Sequence, residues 1–219
     1  MKKLIVFDLD GTLIDSSVDV GTAIVHAARS VCGLSEEAVT VEHTMPLFGK
    51  NLHTTFSALL PVEHHARVDE CIEAYRSYYM ENCARYTRPY AGIVELLKEL
   101  RENNKILAVA TTKLQPTVER VAEMVGLTPY FDLLQGVDGF PSKPDPTILK
   151  VIMHKLDITA GEMLMVGDTD NDILCARNAG VQVCAVSWGG AWSARQLAAL
   201  QPDYLVDTVK ELGDLLGSF

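Results

Sequence analysis

The sequence predicts an α/β protein with a doubly wound parallel sheet and an all-helical segment inserted after the first strand. From about residue 87 onward, short and almost continuous apolar runs alternate with segments of helical periodicity. Such runs are typical of strands that helices cover on both faces. Between about residues 16 and 86, only helical periodicity is found. We therefore expect a Rossmann-like core, residues 1–15 and 87–219, and a helical cap, residues 16–86.

The predicted strands are the buried apolar runs, together with one short run near the C-terminus. They comprise residues 4–7, 106–111, 133–137, 163–168, 181–186 and 204–206. Because helical segments separate these runs, we expect right-handed crossovers and a parallel sheet.

The predicted helices carry apolar stripes at helical spacing. In the core these stripes cover residues 93–100, 118–125 and 148–156, and in the insertion they cover residues 24–31 and 68–79. Pro116 near the start of the second stripe and Gly126 after its end are typical of helix boundaries.

Two carboxylates, Asp8 and Asp10, follow the first strand with one residue between them. They would point the same way if the strand continued, and Gly11 would then let the backbone turn. Close like charges must be protonated, paired or bound to a cation. An ordinary acidic turn is the alternative for an isolated pair of this kind.

Polar residues also follow the later strands. Thr111 and Thr112 end the second core strand, where a hydroxyl and an amide can hold a phosphate oxygen, although threonine is common at strand ends. Lys143 lies in a Ser-Lys-Pro-Asp-Pro run. Its two prolines stiffen the backbone, so the ammonium group is presented in a defined position.

A second acidic group, Asp168, Asp170 and Asp172, lies at the end of the strand predicted at residues 163–168. Carboxylate oxygens of this density suit Mg²⁺. A calcium loop is excluded because residue 173 is Ile and no glutamate follows at the required distance. A helix N-cap at Asp170 or Asn171 is the other interpretation, and it is compatible with metal binding.

The composition excludes several functional classes. The net charge of -10 provides no positive surface for nucleic acid or an anionic membrane. We recognise no signal peptide and no apolar run long enough to span a bilayer. We therefore expect a monomer or homodimer acting on a small metabolite, without nucleic-acid or membrane partners.

The cysteines and histidines indicate no disulfide framework or zinc site. The five cysteines are scattered without a C-x-x-C pair, which is typical of a reducing, cytoplasmic environment. We expect each cysteine to be a small buried apolar residue. The six histidines show no zinc-type spacing with the cysteines.

In their order and positions, the motifs resemble those of the haloacid dehalogenase (HAD) superfamily, whose first motif is D-x-D-G-T-L/V. The chain has this pattern at residues 8–13. The resemblance covers nearly the full length and implies a helical cap of the first type. Within the superfamily the chain is similar to phosphoglycolate phosphatases at residues 7–16, 88–92 and 166–168. It departs from their pattern at Thr112, where that family often has Asn, and at Ala91, where it has Pro.

The resemblance implies a mechanism. Asp8 would attack phosphorus to form an aspartyl-phosphate, and Asp10 would act as general acid and then general base. Magnesium would lie between Asp8, the Asp10 backbone carbonyl and Asp168, supported by Asp172. The residues expected to hold or stabilise the substrate are Gly11, Gly49, Lys50, Thr111, Thr112 and Lys143.

The expected cap loop is the Phe-Gly-Lys-Asn run at residues 48–51. An insertion directly after the first strand would lie over the carboxyl ends of the strands, where open α/β sheets bind ligands. Gly49 permits close approach of the backbone, and Lys50 would bind a substrate carboxylate. A solvated lysine in a turn is the alternative.

The implied function is Mg²⁺-dependent hydrolysis of a small phosphomonoester such as 2-phosphoglycolate. The alternatives are a sugar-phosphate, nucleotide or pyrophosphate phosphatase, and an isomerase of the β-phosphoglucomutase type. A phosphate-binding regulator without turnover is disfavoured because Asp8, Asp10, Lys143 and Asp168 are all present.

Overall fold

The apolar run Leu4–Phe7 forms β1, a central strand of the main sheet. The structure is a computed structural model that describes residues 2–219. All four residues of β1 are fully buried. Leu4 and Val6 join one core cluster, whereas the two alternate residues point to the opposite face. Both faces of β1 are therefore covered, as the continuous apolar run predicts.

The chain divides into two compact units. The core unit consists of the chain up to Asp15 together with Pro89–Phe219, and the helical unit is Ser16–Arg88. The helical unit ends two residues later than the residue 86 expected from the sequence.

The strands of the described residues are β1 (Leu4–Phe7), β2 (Ile14–Asp15), β3 (Arg88–Pro89), β4 (Ile106–Ala110), β5 (Leu133–Gln135), β6 (Met163–Gly167), β7 (Gln182–Val186) and β8 (Tyr204–Val206). Six of them form a parallel sheet in the order β5-β4-β1-β6-β7-β8, which confirms the predicted α/β fold class. The sequence analysis missed β2 and β3, which form a separate two-stranded sheet, because two residues are too few to show a periodic pattern.

The strand register determines which residues meet at the carboxyl edge of the sheet. Leu4 pairs with Ile106 of β4 and with Met163 of β6, so Phe7 lies level with Val109 and Val166. The residues that follow these three strands therefore emerge at the same edge.

The helices of the core unit are α5 (Ile93–Glu102), α6 (Gln115–Met124), α7 (Thr147–Leu156), α8 (Asp170–Ala179), α9 (Ala194–Ala199) and α10 (Val209–Leu216), numbered after the four helices of the helical unit. The predicted stripes form the buried faces of α5, α6 and α7, which confirms these three helices. Helices α9 and α10 were not identified from the sequence. Within residues 2–219, no helix combines the length and apolar character needed to cross a bilayer.

The helical unit contains α1 (Ser17–Cys32), α2 (Val41–Thr44), α3 (Leu52–Leu59) and α4 (Val68–Asn82), with 3-10 turns at Met45–Leu47 and Val62–Arg67. Residues 17–87 form no strand, as predicted. Helix α1 packs against α4. Phe56 of α3 contacts Tyr75 of α4 edge to face, and Tyr75 stacks on Tyr79.

The cysteines are all free, and four of the five are buried. Cys32 is the exception, since it is only partly buried at the end of α1. The expectation that each cysteine is a buried apolar residue is therefore wrong for Cys32, because a helix terminus is less covered than the middle of its buried face.

Asp19 ties the first turn of α1 to the last residues of the helical unit. Its Oδ2 accepts hydrogen bonds from the Tyr86 amide at 2.9 Å, the Thr87 amide at 2.8 Å and the Thr87 hydroxyl at 2.7 Å. Asp19 and Thr87 are both buried. One carboxylate thus satisfies three donors where the chain enters and leaves the unit.

We expect Asp19→Ala to lower the unfolding free energy of the helical unit by roughly 3 kcal/mol, because buried donors lose a charged acceptor. Urea unfolding followed by far-UV circular dichroism measures this loss. Trp188 and Trp192, the only two tryptophans, both lie in the core unit, so their fluorescence follows that unit separately.

The matched control is Asp69→Ala, which removes an exposed aspartate from the first turn of α4. An equal loss of stability in both variants would show that the Asp19 network contributes nothing specific.

Candidate active site

Asp8 lies directly after β1 at the carboxyl edge of the sheet. Its amide donates to the Val166 carbonyl at 2.8 Å, which holds its backbone against β6. The strand itself ends at Phe7, so side-chain alternation does not extend to Asp10. Asp8 is buried, whereas the side chain of Asp10 is 31% exposed. The two aspartates therefore occupy different surroundings.

A tight turn follows Asp8 and returns the chain to the sheet edge. The amides of Leu13 and Ile14 donate to the Leu9 carbonyl at 2.9 and 3.1 Å, and the Gly11 amide donates to the Ile14 carbonyl at 2.9 Å. Gly11 has a φ of 82°, as its predicted role in the turn requires. The turn brings the Thr12 hydroxyl to 2.9 Å from Asp168 Oδ1, to which it donates.

Lys143 is the buried cation of the site. Its Nζ lies 2.5 Å from Asp8 Oδ1 and 2.5 Å from Asp172 Oδ1, and it donates to the Ala110 carbonyl at 2.9 Å. The side chain is only 3% exposed. The lysine selected from its proline-rich surroundings thus joins the ends of β1 and β4 to the start of α8.

Asp168 follows β6, and Asp172 lies in the first turn of α8. Asp172 Oδ2 accepts from the Thr169 amide at 3.1 Å and from the Thr169 hydroxyl at 2.8 Å, forming a capping box. The N-cap of α8 is therefore Thr169, and the interpretation of Asp170 or Asn171 as the cap is wrong. The physical reason is the spacing, since Asp172 stands at the third helical position, where a carboxylate reaches back to the cap.

Two carboxylates at this edge, Asp8 and Asp168, have shifted pKa values. Burial raises the pKa of Asp8 to about 7, although Lys143 opposes the shift. Burial, followed by the charges of Asp8 and Asp172, raises the pKa of Asp168 well above its usual range. Burial alone would lower the pKa of Lys143, but Asp172 and Asp8 outweigh it and raise that pKa above its ordinary value. Lys143 therefore stays positively charged. A further cation beside Asp8 and Asp168 would stabilise their ionised carboxylates.

The residues present fit a divalent metal ion. Asp8, Asp168 and Asp172 each offer a carboxylate oxygen, and these oxygens lie within 4.8 Å of one another. In residues 2–219, the ion pairs of Lys143 reach Asp8 and Asp172 but not Asp168. Hard oxygen donors with uncompensated negative charge suit Mg²⁺. Both oxygens of Asp172 already accept hydrogen bonds, so Asp172 fits a supporting role better than direct ligation.

Thr111 and Thr112 follow β4 at the same edge. Thr111 is buried, and its amide donates to the Gln135 carbonyl at 3.1 Å. The Lys113 amide donates to the Thr111 hydroxyl oxygen at 3.3 Å, which fixes the turn after the strand. Thr112 is half-buried.

Lys113 is a functional candidate that the sequence analysis missed. Its Nζ lies 3.1 Å from Asp10 Oδ2, and its side chain is 9% exposed. Asp8 and Asp10 therefore have separate lysine partners. The available signal was the position of Lys113 just after Thr111 and Thr112, at the end of a core strand.

The loop after β7 lies beside Asp168 and the Gly11 carbonyl. Its contribution to the site was not predicted from the sequence. The Trp188 indole donates to the Thr12 carbonyl at 3.0 Å. A Cβ atom on Gly189 would lie 2.5 Å from Asp168 Oδ2 and 2.5 Å from the Gly11 carbonyl oxygen. A glycine is therefore required for this loop to approach Asp168.

Gly49 and Lys50 lie in the helical unit, in the turn between the Met45–Leu47 3-10 helix and α3. Gly49 has a φ of 83°, and the Lys50 amide donates to the Leu47 carbonyl at 3.2 Å. Both residues are exposed. Their expected role at the substrate stays a prediction.

Comparison with known proteins identifies the family of the chain. The family model for haloacid dehalogenase-like hydrolases matches residues 5–186. Probable phosphatase IndB of Dickeya dadantii is 34% identical over 217 residues, covering 97% of this chain and 92% of its own. Pyrophosphatase PpaX of Bacillus velezensis is 30% identical over 214 residues, covering 97% and 95%. A predicted phosphoglycolate phosphatase from Haemophilus somnus has a crystal structure that matches with a TM-score of 0.85 at 26% identity, covering 98% of each chain.

The aspartate-lysine cluster at the carboxyl edge of the parallel sheet is the candidate active site of a hydrolase. With the family match over most of its length, the chain belongs to the haloacid dehalogenase-like hydrolases. The resemblance found in the sequence is thereby confirmed.

We expect Gly189→Ala to lower the unfolding free energy by roughly 1–3 kcal/mol, because the added methyl group overlaps a buried carboxylate and a backbone oxygen. Denaturation followed by tryptophan fluorescence measures the change beside Trp188. Hydrolytic activity should fall as well, since the methyl group displaces Asp168.

The matched control is Gly161→Ala, since a Cβ there has nothing within 4 Å. Wild-type stability and activity in Gly189→Ala would show that the loop yields freely and does not constrain Asp168.

Proposed function

We propose that this chain is a Mg²⁺-dependent phosphatase that cleaves a small phosphomonoester through an aspartyl-phosphate on Asp8. The observation that carries the proposal is the buried Lys143 ammonium group, held between Asp8 and Asp172 beside Asp168. A carboxylate fixed in this way at a strand end is oriented to act as a nucleophile. The family membership and the phosphatase names of the relatives support the same chemistry.

In the first half of the reaction, an Asp8 carboxylate oxygen attacks phosphorus, and the bond from phosphorus to the ester oxygen breaks. Asp10 donates a proton to the departing oxygen. In the second half, Asp10 removes a proton from water, the water oxygen attacks the same phosphorus, and the bond to Asp8 breaks. The products are an alcohol and inorganic phosphate.

The surrounding groups stabilise the negative charge that develops on the phosphoryl oxygens. Lys143 supplies a fixed positive charge, and the Thr111 hydroxyl and Thr112 amide supply donors from the end of β4. Asp8, the Asp10 carbonyl and Asp168 would hold Mg²⁺, with Asp172 in support. When bound, the ion would neutralise the carboxylates and allow a phosphate dianion to approach.

Asp10 needs an orientation independent of Asp8 for this role. The ion pair with Lys113 at 3.1 Å supplies it. Because Lys143 holds Asp8 and Lys113 holds Asp10, the nucleophile and the general acid are positioned by different parts of the chain.

We propose the helical unit as the cap that selects the substrate, with Gly49 and Lys50 as contacts. Lys50 is the only lysine in residues 16–88. An exposed ammonium group on a turn fits a second anionic group of the substrate, such as the carboxylate of 2-phosphoglycolate. Pyrophosphate is the second candidate, favoured by the relatives named pyrophosphatase at 30–32% identity. For this chain we also propose a cytoplasmic location and a monomeric or homodimeric state.

The proposal is tested by phosphate release from 2-phosphoglycolate, pyrophosphate and glycerol phosphate, with Mg²⁺ and with excess chelator. Chelation should abolish turnover of every substrate, and so should Asp8→Asn, because the amide is not a nucleophile for phosphorus. Circular dichroism checks that the variant is folded.

The control for Asp8→Asn is Asp214→Asn, a change to an exposed aspartate of α10. Full turnover in chelator would contradict the metal assignment, and turnover by Asp8→Asn would contradict the covalent mechanism. If the wild-type protein released phosphate from none of the three substrates, the proposed phosphatase activity would be refuted.

Lys50→Ala should lower kcat/KM for 2-phosphoglycolate or pyrophosphate by about 10- to 150-fold, the range of a hydrogen bond to a charged group. The effect on glycerol phosphate should be small, because that ester has no second anionic group. The wild-type kcat/KM values decide between the two anionic substrates.

The control for Lys50→Ala is Arg76→Ala, which removes a cation from α4 that pairs with Glu73. Equal losses on anionic and neutral substrates would refute the specificity role and leave Lys50 as a solvated surface residue.

A further inference from the structure

Two cysteines of the helical unit lie side by side and take no part in the proposed hydrolysis. Cys32 is the last residue of α1, and Cys71 lies in the first turn of α4. Their Sγ atoms are 3.7 Å apart. The packing of α1 against α4 brings them together across 39 positions of sequence.

The geometry needs only a small adjustment to form a bond. A disulfide has an S–S length of about 2.05 Å, so the two sulfurs must approach by about 1.6 Å. Cys32 stands at a helix end, and Gly33 after it has a φ of 70° with open space around its Cα. The end of α1 can therefore move more easily than the buried side of the first turn of α4, where Cys71 lies.

The two thiols differ in access to solvent. Cys32 is partly exposed, whereas Cys71 is fully buried. Burial, together with the neighbouring Cys32, raises the pKa of Cys71 to about 12. A small oxidant would therefore reach Cys32 first and leave Cys71 as the second, resolving thiol.

Arg67 places a positive charge next to this pair. Its guanidinium group donates to the Val31 carbonyl, immediately before Cys32, and pairs with Glu70, immediately before Cys71. The charge of Arg67 acts to lower the pKa of Cys71 against the effect of burial. The same residue thus holds the two backbone segments together and offsets part of the effect of burial on Cys71.

The other three cysteines have different partners. The thiols of Cys83, Cys175 and Cys184 donate to the backbone carbonyls of Met80, Asp145 and Ala185. Within residues 2–219, Cys32 and Cys71 are therefore the two cysteines whose sulfur atoms are described in contact with each other.

We propose that Cys32 and Cys71 form a reversible disulfide when the protein meets a hydroperoxide. The Cys32 sulfur attacks the peroxide O–O bond, which breaks, and the sulfenic acid Cys32-SOH and one water are formed from hydrogen peroxide. The Cys71 sulfur then attacks the Cys32 sulfur, the S–O bond breaks, and the hydroxide leaves with the Cys71 proton as a second water. The two thiols are oxidised and the peroxide is reduced, and a dithiol reductant reverses the change.

The disulfide would close a loop over the residues between Cys32 and Cys71, including α2, α3 and the turn that carries Lys50. Closing such a loop restricts the unfolded chain and stabilises the native packing of α1 on α4. The inference does not depend on the proposed hydrolase activity, since neither thiol touches a residue assigned to it.

The experiment treats the reduced protein with hydrogen peroxide, blocks the remaining thiols by alkylation and measures the mass. Three of the five cysteines should be alkylated, since two are consumed in the bond. After trypsin digestion, the peptide of residues 30–50 should be linked to that of residues 68–76, which carry Cys32 and Cys71. The oxidised protein should have a Tm higher by roughly 5 °C, reversed by a dithiol.

The Cys71→Ser variant should lose both the linked peptide and the rise in Tm. If this buried substitution prevents folding, Cys32→Ser at the partly exposed end of α1 tests the same prediction. The matched control is Cys83→Ser, a buried cysteine of the same unit, which should keep both effects. Five alkylated thiols, a sulfinic acid on Cys32 without a linked peptide, or equal linkage to Cys83 would each overturn the proposal.

Discussion

The buried ammonium group of Lys143 is the constraint on which the site depends. It lies between the carboxylates of Asp8 and Asp172 and also donates to the end of β4. Without this charge, three buried carboxylates would face one another at the sheet edge, and such groups are strongly unfavourable unless paired or neutralised. The ends of β1 and β4, the segment before α7 and the start of α8 therefore meet at one cation. The sheet order and register matter because they bring these four chain segments to the same point.

Much of this arrangement could be predicted from the sequence, because it follows local patterns. Continuous apolar runs locate the six strands of the main sheet. Polar residues at strand ends identify Asp8 and Asp168, and the proline-rich run identifies Lys143. The pairing of Lys113 with Asp10 and of Trp188 with Thr12 could not be predicted in this way. These contacts join distant positions and leave no periodic signal. The cap of α8 was misassigned because acidic residues crowd its first turn, and the capping-box spacing between Thr169 and Asp172 decides the position.

The proposed mechanism and the proposed substrate contact belong to different units of the chain. The core unit contains the proposed nucleophile Asp8, both lysine-aspartate pairs and the carboxylates that fit a metal ion. The helical unit offers one lysine on an exposed turn as a candidate contact for the variable part of a substrate. Relatives of comparable identity carry the names of different phosphatases, which is consistent with a shared mechanism and separately adjusted selectivity.

The carboxylate of Asp19 has a consequence for how such a protein can evolve. Because it accepts hydrogen bonds from Tyr86 and Thr87, the first turn of α1 lies next to residues near the end of the helical unit. An insertion whose two ends lie close together can replace a short surface loop of the domain that carries it. Existing folds tolerate insertions of this kind. The helical unit can therefore be exchanged, enlarged or redesigned as a whole while the parallel sheet keeps its connections. Under the proposed cap role, such changes would alter the substrate preference and leave the residues of the core unit in place.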